Sequence, residues 1–178
     1  MGDDGVSCAS AWLAEADRLR RRIGYLADDD ALSLDCDVRS NLWEPLRHAP
    51  GPLHGPMRMS WALRLAGLDE RVLDALPGSL PIGDRRRICV ARAILNTPDI
   101  LLIDSPLRGT DPADHGDILD TLNRSRDTLG ATMILALDEL CAIPVLADRA
   151  VVLSAGRVAF DGDVTAFLRS GIGLDRPA

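Results

Sequence analysis

Residues 99 to 112 read DILLIDSPLRGTDP and place an aspartate, Asp104, at the end of an apolar run. The run is typical of a buried strand, which would deliver the Asp104 carboxylate to a reaction centre at the end of a sheet. Such a centre usually needs a second carboxylate beside the first. The next residue is Ser105, so the pattern indicates an acid whose expected acidic neighbour is missing.

The basic residues of the chain are all arginines, because the sequence contains no lysine; it contains no glutamine either. Phosphate-binding loops of the GxxxxGK[ST] type place a lysine on the outer phosphates. These residues therefore cannot form a loop of that type, and they cannot perform a step that needs a glutamine side chain.

Composition excludes several classes of protein. The net charge of −7 argues against nucleic acid or an anionic membrane as the main partner. No apolar run reaches the ~18 residues of a membrane span, and MGDDGVSCAS lacks the features of a secretory signal, so a cytoplasmic location is expected. The arginine runs at 18–22 and 85–87 are predicted to be solvated or structural. Reduced, structural thiols without zinc-ligand spacing are expected at Cys8, Cys36, Cys89 and Cys141.

The elements that must position Asp104 alternate between helical and strand patterns. Helix starts are predicted at Asp37, Pro112 and Asp163, one helix is predicted to end at Gly67, and RRRICVARAILN is predicted to stop before Pro98. Strands are predicted at IGYLA, DILLID, ATMILAL, RAVVLS and RVAFDG, the last two forming a hairpin through AGR. Continuous apolar strands between helices are typical of a parallel sheet that helices cover on both faces.

These stretches resemble, in order, the nucleotide-binding domain of an ABC transporter, nearest to the exporter type. IGYLADDDALSLDCDVRSNL resembles the Q-loop strand and the segment after it, and ALRLAGLDERVLDALPGSLPIGD resembles the helical subdomain. RRRICVARAILNTPDILLIDSPLRGTDP resembles the helix after the signature motif, the Walker B strand and the D-loop. ILALDELCAIPVLADRAVVLSAGRVAFDGD resembles the switch-histidine strand and the C-terminal strands. The resemblance covers roughly residues 18 to 168.

The resemblance implies an α/β fold, a partial P-loop NTPase-like parallel sheet flanked by helices. It places a small helical subdomain at about 36–84 and a catalytic-type core at about 18–35 and 85–168, in a single truncated domain spanning 1–178. No stretch before IGYLA reads as a Walker A loop. The remaining sheet is therefore expected to expose apolar surface, which a partner or self-association would cover. Tyr25, on the Q-loop strand, is expected to be packed.

The resemblance also assigns roles to single residues. Asp104 matches the Walker B aspartate, which supports magnesium, and Ser105 stands at the position of the catalytic glutamate, where a serine is a very poor base. Asp28 matches the Q-loop glutamine, Asp138 the switch histidine and Asp111 the D-loop aspartate.

The signature motif, LSGGQ in the family, aligns without gaps to LPIGD, residues 80–84. Pro81 then replaces the serine, Ile82 replaces a glycine, and Asp84 adds negative charge, so that only Gly83 survives. A second alignment treats PIGD as the pattern just upstream, with the signature deleted. Neither alignment leaves a competent signature.

The acids at positions 28, 84 and 138 place carboxylates where phosphates would approach. Two like unit charges at ~4 Å repel by roughly 4 kcal/mol at an effective dielectric of 20. ATP and magnesium are therefore implied by the resemblance only, and no cofactor is expected for the chain alone. Two interpretations of Asp28, Asp104 and Asp138 stay open: they converge on a bare divalent cation, or they are three separate solvated acids.

Three functions are compatible with this sequence. The first is a degenerate, non-hydrolysing cassette subunit that docks on a transporter transmembrane subunit or a competent ABC ATPase, peripheral to the inner face of the membrane. Docking in the family uses the cleft near the Q-loop and the helical subdomain, here about 28–70. The second is a truncated remnant of a transporter ATPase gene. The third is a regulatory or binding protein that reuses the scaffold.

Overall fold

A computed structural model describes residues 15–16, 18–47, 55–138 and 140–171. The chain divides into two compact units, Met1–Ala136 and Leu137–Ala178, and each is described by itself. The predicted subdomain boundaries at about 36–84 stay a prediction.

The described residues of the first unit form a three-stranded sheet with α-helices around it in sequence. The strands are β1 (Ile23–Leu26), β2 (Ile100–Asp104) and β3 (Thr132–Ala136), and the described α-helices include α1 (Val38–Trp43), α2 (Gly55–Leu65), α3 (Ile82–Ile94) and α4 (His115–Leu129). Short 3-10 helices lie at Glu44–Leu46, Glu70–Asp74, Pro77–Ser79 and Pro112–Asp114.

The described residues of the second unit form a hairpin and short helical segments. They comprise a 3-10 helix at Leu140–Ala142, then α5 (Ile143–Leu146), β4 (Arg149–Ser154), β5 (Arg157–Asp163) and α6 (Val164–Ser170).

Local capping explains where several helices begin and end. The Asp37 carboxylate accepts the Ser40 N–H at 2.8 Å, and the Asp163 carboxylate accepts the Ala166 N–H at 2.8 Å, so both predicted N-caps are confirmed. Helix α4 ends at Gly130, whose φ of 62° is the left-handed conformation that glycine adopts without a steric penalty.

The three strands of the first unit are all parallel, in the order β1-β2-β3. The inner face of this sheet, defined by Gly24, Leu26, Leu101 and Ile103, is buried. The approach on this side is close, because a Cβ atom at Gly24 would collide with the carbonyl oxygen of Ala93 on α3. The predicted parallel sheet with helical cover is thus confirmed on this face.

The opposite face of the same sheet, defined by Ile23, Tyr25, Leu102 and Ile134 and called here the bare face, is much more exposed. Tyr25 is 57% exposed and Ile134 is 56% exposed. The register places Tyr25 beside Leu102 and Leu102 beside Ile134, so these side chains form one continuous apolar row. The expectations that both faces are covered and that Tyr25 is packed are therefore wrong.

The second unit confirms the predicted hairpin. Strands β4 and β5 are antiparallel, and the turn between them places Ala155 and Gly156 at positive φ. Two hydrogen bonds of 2.7 and 2.8 Å run from the Arg149 guanidinium to the Asp161 carboxylate across the strands. The Phe160 and Phe167 rings lie 5.7 Å apart and pack α6 on the hairpin.

Cys36, which is exposed, and Cys89, which is buried, are free thiols. The predictions for Cys8 and for the side chain of Cys141 fall outside what the structure describes. In the part of the chain that the structure does describe, no helix is long and apolar enough to cross a membrane.

Candidate functional site

The candidate site lies where β1 and β2 end. Because the strands are parallel and Leu26 lies beside Ile103, the loop 27–30 and the turn 105–110 leave the same edge of the sheet side by side. Ligand sites of open α/β sheets form at this carboxyl edge. The structure thus brings together the segments that carry Asp28, Asp104 and Ser105.

Ser105 is held inside the protein at this edge. Its side chain is 3% exposed, its N–H donates to the Ala136 carbonyl at 2.9 Å, and its Oγ donates to Asp104 Oδ1 at 3.3 Å. Its φ of 43° is left-handed, which stores roughly 1–3 kcal/mol of strain for a non-glycine residue. The hydroxyl therefore acts as a donor to the acid beside it, and no general base stands at position 105.

Asp28 is paired with an arginine across the edge. Arg108 Nη1 donates to Asp28 Oδ2 at 2.8 Å, and both side chains are half-exposed. Asp84 is likewise paired, because Arg87 Nη2 donates to its Oδ1 at 2.6 Å. Each of these two acids therefore has an arginine as its partner, a pairing that the sequence analysis did not predict.

Arg86, on α3, forms hydrogen bonds with both the loop 27–30 and the turn 105–110. It is 2% exposed, its Nη1 donates to the carbonyl of Ala27 at 2.9 Å, and its Nη2 donates to the carbonyls of Asp28 at 2.8 Å and Arg108 at 3.1 Å. The sequence placed Arg86 only in a solvated or structural arginine run. The available signal was its spacing of four residues from the buried Val90, which puts both on one face of α3.

Gly83 lies near the start of α3 and is buried. A Cβ atom at this position would lie 2.5 Å from the Asp114 carboxylate, so a larger residue here would have to displace the Asp114 side chain. Asp111, the D-loop candidate, caps the 3-10 helix that follows it, accepting the Ala113 N–H at 2.9 Å. Both residues thus have a local structural task, and their roles toward a nucleotide stay predictions.

Asp138 belongs to the second unit, where it is exposed. Across the described ranges, no group of three or more His, Cys, Asp or Glu side chains is placed to hold a metal ion. Both interpretations of Asp28, Asp104 and Asp138, a shared cation site and three separate acids, stay predictions.

Comparison with known proteins gives the family. The ABC transporter family model matches residues 4–108, a range that ends before Asp111 and Asp138. The molybdenum import ATP-binding protein ModC of Rhodobacter capsulatus is 36% identical over 149 residues, which are 83% of this chain and 40% of that protein. The methionine import ATP-binding protein MetN of Geobacillus kaustophilus is 32% identical over 157 residues, which are 88% of this chain and 46% of that protein. The chain thus spans less than half the length of these two relatives.

Two solved structures share the fold. The ABC transporter cassette MJ0796, in its dimeric structure, matches with a TM-score of 0.73 at 24% identity, over 85% of this chain and 67% of that one. The cbiO1 protein of Clostridium perfringens, part of the ABC transporter complex cbiONQ, matches with a TM-score of 0.76 at 24% identity, over 86% and 61%. The curated relatives above are named for import, so the exporter subtype stays a prediction. The family match covers more than half of the 178 residues, and the chain therefore belongs to the ABC transporter family as an ATP-binding cassette protein.

Proposed function

We propose that this chain is a cassette-type subunit that does not hydrolyse ATP by itself and acts through a partner polypeptide. The observation that carries the first part is Ser105. It stands where the family has its glutamate, it is buried in a left-handed conformation, and its hydroxyl donates to Asp104. A group in this state does not remove a proton from water at neutral pH.

The described residues are a poor fit for ATP and magnesium. A nucleotide site of this family type needs backbone N–H groups and a lysine facing the phosphates. The sequence contains no lysine, and the carbonyls of Ala27, Asp28 and Arg108 at the candidate edge are directed to the guanidinium of Arg86. Asp104 offers a carboxylate of the kind that holds magnesium, and this carboxylate accepts a hydrogen bond from the Ser105 hydroxyl.

The bare face supports the second part of the proposal. Parallel sheets are covered on both faces in almost all proteins that contain them, whereas Tyr25 and Ile134 are more than half exposed here. An apolar surface of this kind marks an interaction site. We infer that a transporter transmembrane subunit or a competent ABC ATPase supplies what the chain lacks, which would place it at the inner face of the membrane through that partner.

The transport context comes from the relatives. Their names refer to molybdenum and methionine import, and we propose a transport system as the setting of this chain as well. We propose import rather than export as the direction of transport, because import agrees with those names.

The test is calorimetric titration of the purified chain with ATP-Mg, with a urea unfolding curve recorded on the same sample. The proposal expects a cooperative unfolding transition and no saturable binding at micromolar ATP. Tight binding would contradict it. A Ser105→Glu variant serves as a second arm, because restoring the carboxylate without a lysine should give no hydrolysis.

The remnant interpretation is distinguished by the unfolding curve. A decayed gene product is expected to lack a cooperative transition, both alone and with candidate partners. A chain that unfolds cooperatively and remains monomeric without any partner would instead favour the regulatory-protein alternative.

A further inference from the structure

We propose that Arg86 is a positioning residue that joins the loop 27–30 and the turn 105–110 into one mechanical unit, so that a displacement of either segment is transmitted to the other. This inference does not rest on the proposed function, since it concerns the coupling of two segments whether or not a nucleotide binds.

The hydrogen bonds of Arg86 connect the two segments directly. One guanidinium donates to four carbonyl oxygens that belong to two segments almost 80 residues apart in the chain, those of Ala27, Asp28, Asp29 and Arg108, at 2.9, 2.8, 3.4 and 3.1 Å. The guanidinium is planar and its donors are fixed in a fork, so the four acceptors cannot move independently while the hydrogen bonds persist. A shift of the turn at Arg108 must therefore move Arg86 or the loop.

Burial makes the connection strong. Arg86 is 2% exposed, its Nε makes no hydrogen bond, and its Nε lies 3.9 Å from Asp30 Oδ1, which supplies the opposite charge. A buried cation is tolerated only where its donors find acceptors, and the loop carbonyls lose their donors if the cation is removed. The Arg86 guanidinium and the carbonyls of the two segments therefore depend on each other, and this arrangement is called here the clamp.

The alternative connection between the same segments is weak. The Arg108–Asp28 pair also joins the turn to the loop, but it is half-exposed, and exposed ion pairs of this kind add little to stability because water screens them. The two connections form a natural comparison, because they link the same segments and differ mainly in burial.

The first experiment uses the full chain labelled with nitrogen-15 and compares the wild type with Arg86→Lys and Arg108→Gln. Lysine keeps the charge but cannot direct a planar fork at four carbonyls. We expect backbone order parameters in both segments to fall together in Arg86→Lys, from about 0.85 toward 0.6 or lower, while those of α4 stay unchanged. Arg108→Gln is the matched control and should lower them by less than a third as much.

A second experiment leaves Arg86 intact, which keeps the proposal testable if Arg86→Lys does not fold. Gly109 lies in the turn at a φ of 73°, so Gly109→Ala strains the turn locally. Gly130→Ala strains a residue at a φ of 62° at the end of α4, where an added Cβ meets no atom within 4 Å. Coupling predicts that Gly109→Ala changes the amide shifts of residues 27–30 and that Gly130→Ala does not.

Two outcomes would overturn the clamp. One is a loss of order in only one of the two segments in Arg86→Lys. The other is a loop 27–30 that responds equally to Gly109→Ala and Gly130→Ala, since this would indicate general destabilisation rather than transmission through Arg86.

Discussion

The two faces of the three-stranded sheet consist of alternate residues of the same strands, yet they differ in their exposure to solvent. On the inner face Leu101 and Ile103 are almost completely buried, whereas on the bare face Tyr25 and Ile134 remain more than half exposed. Both sets are apolar. The comparison teaches that apolar character decides which residues can be buried, while the presence of a covering element decides which ones are.

The largest expected effect comes from truncating one isoleucine on each face. Ile103→Ala removes a side chain that is 4% exposed and should lower the free energy of unfolding by about 2–5 kcal/mol, because it leaves a cavity. Ile134→Ala, the matched variant on the bare face, should change it by less than about 1 kcal/mol. Urea unfolding curves measure both, and equal losses would show that the bare face is packed after all.

A smaller effect is expected from adding a methyl group. Gly24→Ala places a Cβ atom against the Ala93 carbonyl on the inner side, where backbone must move, and should cost about 1–3 kcal/mol. Gly116→Ala, in α4, meets no atom within 4 Å and should be neutral or stabilising by up to about 1 kcal/mol. The melting temperature should fall in Gly24→Ala and stay unchanged or rise in Gly116→Ala, and a neutral Gly24→Ala would contradict the close approach of α3.

The reactivity of the two described thiols tests how well α3 shields its buried residues from solvent. Burial raises the pKa of Cys89 from 9.0 to about 12, so this thiol stays neutral in the folded protein at pH 8, while Cys36 is exposed. Alkylation followed by peptide mass mapping should modify Cys36 at least about tenfold faster than Cys89.

The same shift has a defined sign for stability. Because the folded pKa of Cys89 lies above the unfolded value, the contribution of this thiol to the free energy of unfolding is complete below about pH 9 and is lost as the pH rises toward 12.

In the alkylation experiment, fast labelling of Cys89 in the native state would indicate that α3 opens readily.

The smallest effect is expected from Tyr25→Ser on the bare face. Since Tyr25 is 57% exposed, the free energy of unfolding should change by no more than about 0.5 kcal/mol, while binding of a hydrophobic dye such as ANS should decrease. Leu26→Ala, the next residue on the inner face, is the control and should destabilise strongly. Unchanged dye binding in Tyr25→Ser would place the exposed apolar surface elsewhere.

Local sequence signals predicted most of the elements. The Asp37 and Asp163 caps, the end of α3 before Pro98 and the β4–β5 hairpin all depend on neighbours within a few residues, which the sequence presents directly. The family resemblance likewise rests on short motifs in a fixed order. These features could be predicted because the residues that produce them lie close together along the chain.

The candidate site could be predicted only in part. The sequence placed Asp104 at a strand end and Ser105 beside it, and it located Asp28 at the end of β1. It missed Arg86, which is one of three adjacent arginines and the one that turns inward. It also did not pair Asp28 with Arg108, because that partner lies 80 residues away in the chain.

The sequence by itself therefore determined the family, the strand and helix order, and the absence of a lysine for phosphate. Only the tertiary structure decided which face of the sheet is covered, that Ser105 is buried in a left-handed conformation, and that Arg86 and Arg108 meet the loop 27–30. The physical reason is that burial and ion pairing depend on which distant segments share the same space, and residue types alone do not specify this.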